Sequence, residues 1–171
     1  MIDLLILGGG PAGYVAAERA GQAGLKVVLF EKSAMGGVCL NEGCIPTKTL
    51  LYSAKMYENA LNAEKYGVFG DNIRFDYSKM VSRKKKIVRK LVLGVESKMK
   101  SNKVEVVKGE AFINNRSSEG IEIGCNGEKY VGRNLLICTG SEASVPPIPG
   151  LSEAGDVILT NREILEMKDR P

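Results

Sequence analysis

Apolar and polar positions along the chain alternate between two periods, one suited to strands and one to helices. Asp3 to Leu7 is a short apolar run that stops at three glycines, and the alanine-rich segment Tyr14–Ala23 after it reads as a helix that Gly24 can terminate. Lys26 to Phe30 is a second strand-like run, closed by Glu31. From Thr47 to about Lys65 the spacing predicts a helix with Leu50, Leu51, Ala54, Tyr57 and Leu61 on one stripe, ended by the segment 66–70. A longer helix is expected over Tyr77–Ser101, its stripe being Met80, Ile87, Leu91, Val95 and Met99, with Lys84, Lys85, Lys86, Arg89 and Lys90 largely opposite. Short strands follow at 103–107 and 109–113. The runs 119–125 and 128–131 flank Asn126-Gly127, a strong two-residue hairpin signal. Asn134 to Cys138 reads as a central strand buried on both faces. Pro146-Pro147-Ile148-Pro149-Gly150 is a stiff connector. The expected class is α/β, a doubly wound parallel sheet carrying a small antiparallel meander.

Composition narrows the picture. At 171 residues and 44% hydrophobic the chain can bury one core, expected over 1–145, with 146–171 as a connector. Ten of the 24 Lys/Arg lie between 79 and 103 against one acid, Glu96. No aromatic residue is interleaved with them, so a solvated helix face is expected there and no nucleic-acid partner. The apolar start is too short and lacks the basic residues of a signal peptide, and nothing approaches the ~20 apolar residues of a membrane span. A cysteine pair in such a chain suggests a reducing compartment, hence a cytoplasmic location.

Gly8-Gly9-Gly10-Pro11-Ala12-Gly13 lies between the first strand and the first helix. A lone G-x-G-x-x-G is weak; between strand and helix, with an acid after the next strand, it is a dinucleotide fingerprint. Gly8 makes the tight turn, Gly10 admits a pyrophosphate against the backbone, and Gly13 lets helix and strand pack closely. The phosphates would sit on the helix N-terminus with Pro11 and Ala12. Glu31 would accept hydrogen bonds from an adenosine ribose and repel a 2′-phosphate.

The densest chemistry is in residues 36–48, GGVCLNEGCIPTK. A five-residue step along an ideal α-helix leaves Cα atoms roughly 8.6 Å apart, whereas a disulfide spans at most about 7 Å. Cys39 and Cys44 can therefore bridge only where the backbone leaves a regular helix, which Gly43 makes cheap. Pro46 suits the first turn of a following helix. The segment is expected to be a small strained loop ending on a helix, with Cys44 near the positive terminus, where a thiol is more acidic. Flanking glycines, proline and lysine favour a redox pair over two inert core cysteines. No metal is expected: the chain has no histidine, and its four cysteines never show the spacing of a zinc knuckle.

These residues resemble the redox motif of the pyridine nucleotide-disulfide oxidoreductases, close to G-G-T-C-[LV]-N-x-G-C-[IV]-P-x-K. Leu40 and Ile45 point to the dihydrolipoamide dehydrogenase branch, and Val38 departs from the usual Thr, removing a hydroxyl near the flavin. The resemblance covers the whole chain but only the first part of the family's sequence. It implies a Rossmann-like FAD-binding domain, with FAD held non-covalently by Gly8, Gly10, Pro11, Ala12, Gly13, Glu31, Lys32, Gly37, Val38, Cys39, Cys44, Lys48, Ala111, Thr139, Gly140 and Ser141. It implies that Cys39, Cys44 and Lys48 are catalytic. Cys39 would form the mixed disulfide and Cys44 would face the flavin, with Lys48 steadying negative charge; Cys125 and Cys138 would be structural. The substrate implied is dihydrolipoamide on a lipoyl-bearing protein of a 2-oxo acid dehydrogenase or glycine cleavage complex. Electrons would pass to FAD and then NAD, in a homodimeric full-length parent. Another FAD disulfide reductase, or a free-standing flavin or thiol module, is the alternative.

The family's catalytic histidine and second glycine fingerprint for NAD have no counterpart here, so the chain reads as the FAD side of a longer enzyme. Ala154-Gly155-Asp156-Val157 superficially matches the family's Gly-Asp motif, but no apolar strand precedes it. Residues 159–165 fit the family's connector into an NAD domain that would begin near Pro171.

Overall fold

A computed structural model describes residues 1–151 and 153–170; Ser152 and Pro171, both within the expected connector, lie outside the described residues. The chain divides into two compact units, one of residues 1–41 and 90–141, the other of 42–89 and 142–171.

The first unit is a six-stranded sheet. Its strands are β1 (Ile2–Leu7), β2 (Val27–Glu31), β3 (Glu105–Lys108), β4 (Ala111–Ser117), β5 (Gly120–Cys125) and β6 (Glu128–Ile137), in the order β3-β2-β1-β6-β5-β4. β1 runs parallel to β2, with Leu4 opposite Val27 and Leu7 opposite Phe30, and parallel to β6, with Leu5 opposite Leu135. The β4-β5-β6 part is antiparallel. The strand period of two decides what covers each face. Ile6 points at α1 (Pro11–Gln22), where its Cγ2 would lie 3.4 Å from a Cβ at Gly13. Leu5, Leu7, Val28 and Phe30 join Ile123 and Cys125 in one buried cluster, with Ile121 and Tyr130 packed against it. One face of the parallel layer thus carries a helix, and the meander supplies the cover of the other. Phe30 meets Tyr130 edge to face at 5.0 Å. The Tyr130 hydroxyl donates to Glu128, and that bond, with burial, pushes the phenol up to about 12.

The expected hairpin at Asn126-Gly127 forms, both residues taking positive φ. What differs is its second strand. The expected runs 128–131 and 134–138 are one strand, β6, which passes through Gly132, where a Cβ would meet Leu5 Cγ at 2.6 Å. Nor is its end buried on both faces. β5 accompanies β6 only as far as Gly132, and Leu136 and Ile137 beyond it remain 36% and 60% exposed.

The second unit holds α3 (Cys44–Leu61), a 3-10 turn at Ala63–Tyr66, the first half of α4 (Tyr77–Ser101) and α5 (Asn161–Glu166). α3 starts three residues before the expected helix. Its stripe is only partly interior: Leu51 and Leu61 are exposed, and the buried positions are Pro46 and Thr49. α4 has the expected ends and is capped by Asp76, whose carboxylate accepts from the Ser78 hydroxyl and the Lys79 amide and is held below the usual carboxylate range by them. Lys85, Lys86, Arg89 and Lys90 are exposed, as the solvated-face reading expects, and Lys84 is its exception. It lies four residues after Met80 and three before Ile87, on the stripe itself, and is 1% exposed. Its ammonium donates to the Leu165 carbonyl and, at 2.7 Å, to Glu166.

That buried cation makes an acid-sensitive joint. The Lys84 hydrogen bond, outweighing partial burial, holds the Glu166 carboxyl below its ordinary value. A lowered carboxyl contributes stability that is full above its unfolded value and disappears as pH falls through the folded one. We expect Glu166→Gln to cost about 1–2 kcal/mol at pH 7, discounted for the exposure of Glu166. The deficit should vanish at acid pH, as read from urea midpoints across the pH range.

Candidate functional site

Three strand ends meet at the glycine turn. Gly8 donates its amide to the Phe30 carbonyl at 2.8 Å, Cys138 donates to Leu7 at 2.7 Å, and Gly109 donates to Glu31 at 3.0 Å. The carboxyl ends of β1, β2 and β6 and, through Gly109, that of β3 are thereby bound together. A crevice at the carboxyl ends of parallel strands is where open α/β sheets place ligands.

The three motif glycines answer to different demands. Gly8 has φ +102°, and a Cβ there would lie 2.2 Å from the Cys138 carbonyl oxygen. At Gly13 a Cβ would lie 1.8 Å from the Gly8 oxygen. Both are required by the protein itself. Gly10 is not: its φ is −72°, open to any residue, and a Cβ would touch only Gly37 Cα at an ordinary 3.7 Å. Gly10 is the N-cap of α1, which has Pro11 in its first turn, no side-chain cap and no acidic residue there. Free amides and the dipole at this end favour an anion. Gly37 closes in from the other side with φ +60°, where a Cβ would come within 2.7 Å of Gly10 Cα.

Beside the turn lies a cavity of about 170 Å³ lined by Leu7, Gly8, Phe30, Glu31, Lys32, Gly109, Glu110, Ala111 and Thr139. Five expected residues, Gly8, Glu31, Lys32, Ala111 and Thr139, meet in it. The Glu31 carboxylate accepts from the Gly9 and Ser33 amides, both at 2.7 Å. Each oxygen keeps a lone pair in reserve, enough for a pair of ribose hydroxyls. Lys32 and Glu110 close the rim with an exposed ion pair at 3.4 Å. Gly9 was not among the expected residues, although its amide holds Glu31; only the structure identifies which backbone donor that acid would take.

Of the remaining expected residues, Gly140 and Ser141 follow Thr139 on the surface, and Val38 is exposed. Cys39 is half-buried in α2 (Gly37–Glu42). This short helix replaces the expected loop. The departure from regular helix is confined to Gly43, at φ −145° and ψ −109°, after which Cys44 opens α3. Asn41 fastens α2 by donating to the Met35 and Gly37 carbonyls. Cys44 and Lys48 belong to the second unit, both exposed and four residues apart on one face of α3. Burial pushes the thiols of Cys125 and Cys138 up, which keeps them protonated, as suits structural cysteines.

The sequence profile of the pyridine nucleotide-disulphide oxidoreductases matches residues 2–171. The chain belongs to that family. As a member of the pyridine nucleotide-disulphide oxidoreductases it is 45% identical, over 99% of its length, to a dihydrolipoyl dehydrogenase of Acholeplasma laidlawii, and covers 50% of that protein. To a dihydrolipoyl dehydrogenase of Bacillus subtilis (strain 168) it is 40% identical over 99% of its length, covering 35% of the relative. The fold matches a solved structure, the HOCl-induced flavoprotein disulfide reductase RclA from Escherichia coli, with a TM-score of 0.77 and 29% identity. That match covers 98% of this chain and 34% of the neighbour. The chain thus spans between about a third and a half of the length of these proteins.

The glycine geometry generates a test within the family fold. We expect Gly13→Ala to cost about 3 kcal/mol or more, since backbone cannot yield as a side chain can. Gly10→Ala should cost about 1 kcal/mol or less, the difference between two N-cap residues. Urea unfolding of the two variants beside the parent chain measures both.

Proposed function

We propose that this chain is the FAD-binding part of a dihydrolipoamide dehydrogenase, acting with NAD on the lipoyl group of a 2-oxo acid dehydrogenase or glycine cleavage complex. The observation that carries the reading is Gly10: the fold tolerates a side chain there, so the absence of one speaks for a ligand against the helix N-terminus. The residues at hand fit FAD. Gly8, Gly10, Pro11, Ala12, Gly13 and Gly37 form a cradle for a pyrophosphate, and the cavity at Glu31, Lys32 and Ala111 suits an adenosine end. At about 170 Å³ that cavity takes only part of such a ligand, since pockets for whole drug-sized molecules run to about 300–1,000 Å³. Val38, Cys39, Cys44, Lys48, Thr139, Gly140 and Ser141 would hold the remainder.

When bound, FAD supplies a two-electron acceptor that is reoxidised by NAD. The chain's own part is thiol exchange. One substrate thiolate attacks Cys39, forming a mixed disulfide as the Cys39–Cys44 bond breaks and Cys44 leaves as a thiolate. The second substrate thiolate then attacks the substrate sulfur of the mixed disulfide, closing the lipoyl disulfide and releasing Cys39 with the electron pair. Lys48, one turn beyond Cys44, stabilises the thiolate by its charge. A 40–45% identity to dihydrolipoyl dehydrogenases supports the dithiol substrate, while the disulfide reductase neighbour supports a second reading, another disulfide as substrate. A homodimeric parent and a cytoplasmic location belong to the same proposal. Among the described residues no helix is long and apolar enough to cross a membrane.

Three outcomes are expected. Peptide mapping without reduction should find a Cys39–Cys44 bridge in oxidised chain; a bridge to Cys125 or Cys138 would refute the assignment. Titration with FAD, followed by the visible spectrum, should show weak binding that Gly10→Ala weakens about tenfold or more while the fold survives. Added dihydrolipoamide and NAD should give no sustained NADH, because the chain has no histidine to serve as the family's base. Equal FAD affinity in Gly10→Ala would count decisively against the site.

A further inference from the structure

Between the two motif cysteines, Glu42 is held from a helix 119 residues further along the chain. It is the last residue of α2, and its carbonyl is one of the acceptors a helix end leaves without an internal partner. The Asn161 side-chain amide donates to that carbonyl at 2.8 Å. The neighbouring Arg162 pairs with the Glu42 carboxylate at 2.6 Å, and a second nitrogen of the same guanidinium reaches Glu142 at 3.4 Å, next to Ser141. These contacts keep the Arg162 charge firmly in place, its guanidinium raised above its ordinary value chiefly by the bond to Glu42.

The mount for these two side chains is rigid at both ends. Thr160 and Glu163 form a reciprocal capping box at the start of α5. At its other end the buried Lys84 ammonium takes the Leu165 carbonyl and Glu166, and Leu165 is itself buried. So short a helix is marginal alone; here it is clamped. What it grips is the residue before Gly43, the single point where the backbone leaves regular helix, and Gly43 carries no side-chain cap of its own.

We propose that Asn161 and Arg162 are positioning residues for the redox-cysteine segment: by fixing the carbonyl and carboxylate of Glu42 they set the backbone at the Gly43 break from which Cys44 is presented. The inference rests on the reading of Cys39 and Cys44 as a redox pair. Neither residue touches a reacting atom; they act through Glu42. Their effect is on how readily the dithiol closes. With glutathione disulfide as oxidant, the two cysteines lose two protons and two electrons, the Cys39–Cys44 bond forms, the glutathione S–S bond breaks, and two glutathione thiols are produced.

The equilibrium constant of that exchange is the measurement, made on the 171-residue chain with the bridge located by peptide mapping. Loss of one hydrogen bond to a charged group corresponds to roughly a tenfold change, and to a neutral one roughly fivefold. We expect Arg162→Ala and Asn161→Ala to lower the constant by about these factors with unchanged far-ultraviolet circular dichroism, and Arg162→Lys to recover part of the loss. In the parent chain the constant should fall as salt is raised from about 0.05 to about 1 M, where the Debye length shrinks to ~3 Å. In Arg162→Ala that salt dependence should be gone. A parent chain that forms no Cys39–Cys44 bridge overturns the redox pair and this inference together. A bridged parent with unchanged variants, or with the same salt dependence after Arg162→Ala, overturns this inference alone. Should the alanine variants unfold, the parent decides: a constant that does not respond to salt overturns the role of Arg162.

Discussion

The first unit depends on how closely one helix can approach one strand end. Only three residues separate the end of β1 from the start of α1, and at Gly13 even a single carbon would fall 1.8 Å from the Gly8 oxygen. Because that approach is possible, the β1 end can also take the amide of Cys138 and place Gly8 against the Phe30 carbonyl. The strand ends are then tied in a row, and the helix terminus, the Glu31 carboxylate and the Gly109–Ala111 segment open on the same side. A crevice with fixed amides follows from packing, before any ligand is considered. The site is thus a by-product of the same glycines that let the fold close, Gly10 excepted.

That exception separates two uses of one motif. Gly8 and Gly13 are forced by backbone atoms at 2.2 and 1.8 Å, whereas Gly10 faces nothing nearer than 3.7 Å. A glycine that its own protein does not require costs conformational entropy and returns no packing. Its benefit has to lie in what approaches from outside, and the uncapped N-terminus beside it has the polarity for an anion.

The local features were legible in the sequence, because glycine, proline and the two periodicities act over a few residues. The turn 8–13, the Asn126-Gly127 hairpin, the ends of α4 and the break at Gly43 were all readable. Features set by distant partners were not. Lys84 looked solvent-facing by its charge, and the carbonyl that buries it is 81 residues away. β6 looked like two strands, whereas the chain runs on through Gly132, whose missing side chain leaves room for Leu5. The α2 helix was hidden by the glycine pair Gly36-Gly37 at its start, of which Gly37 serves the approach to Gly10, not a loop. Of the residues expected at a cofactor, Gly8, Glu31, Lys32, Ala111 and Thr139 line one crevice, while Gly9, Asn161 and Arg162 gave no local signal.

The α3 stripe shows where this kind of reading stops. Its spacing identified a helix, yet Leu51 and Leu61 are exposed, as are Tyr66 and Phe69 just beyond, at 77% and 76%. Periodicity reports the geometry of a backbone, since side chains four apart share a face whatever lies opposite. Burial needs a second surface, and no periodicity within α3 encodes one. Tyr57 is half-buried, with the ring of Phe75 at 5.1 Å, and Thr49 is buried, its hydroxyl bonded to the Ile45 carbonyl. The same pattern that proves a helix therefore only states a demand for cover, and which stripe residues obtain it is decided elsewhere in the chain.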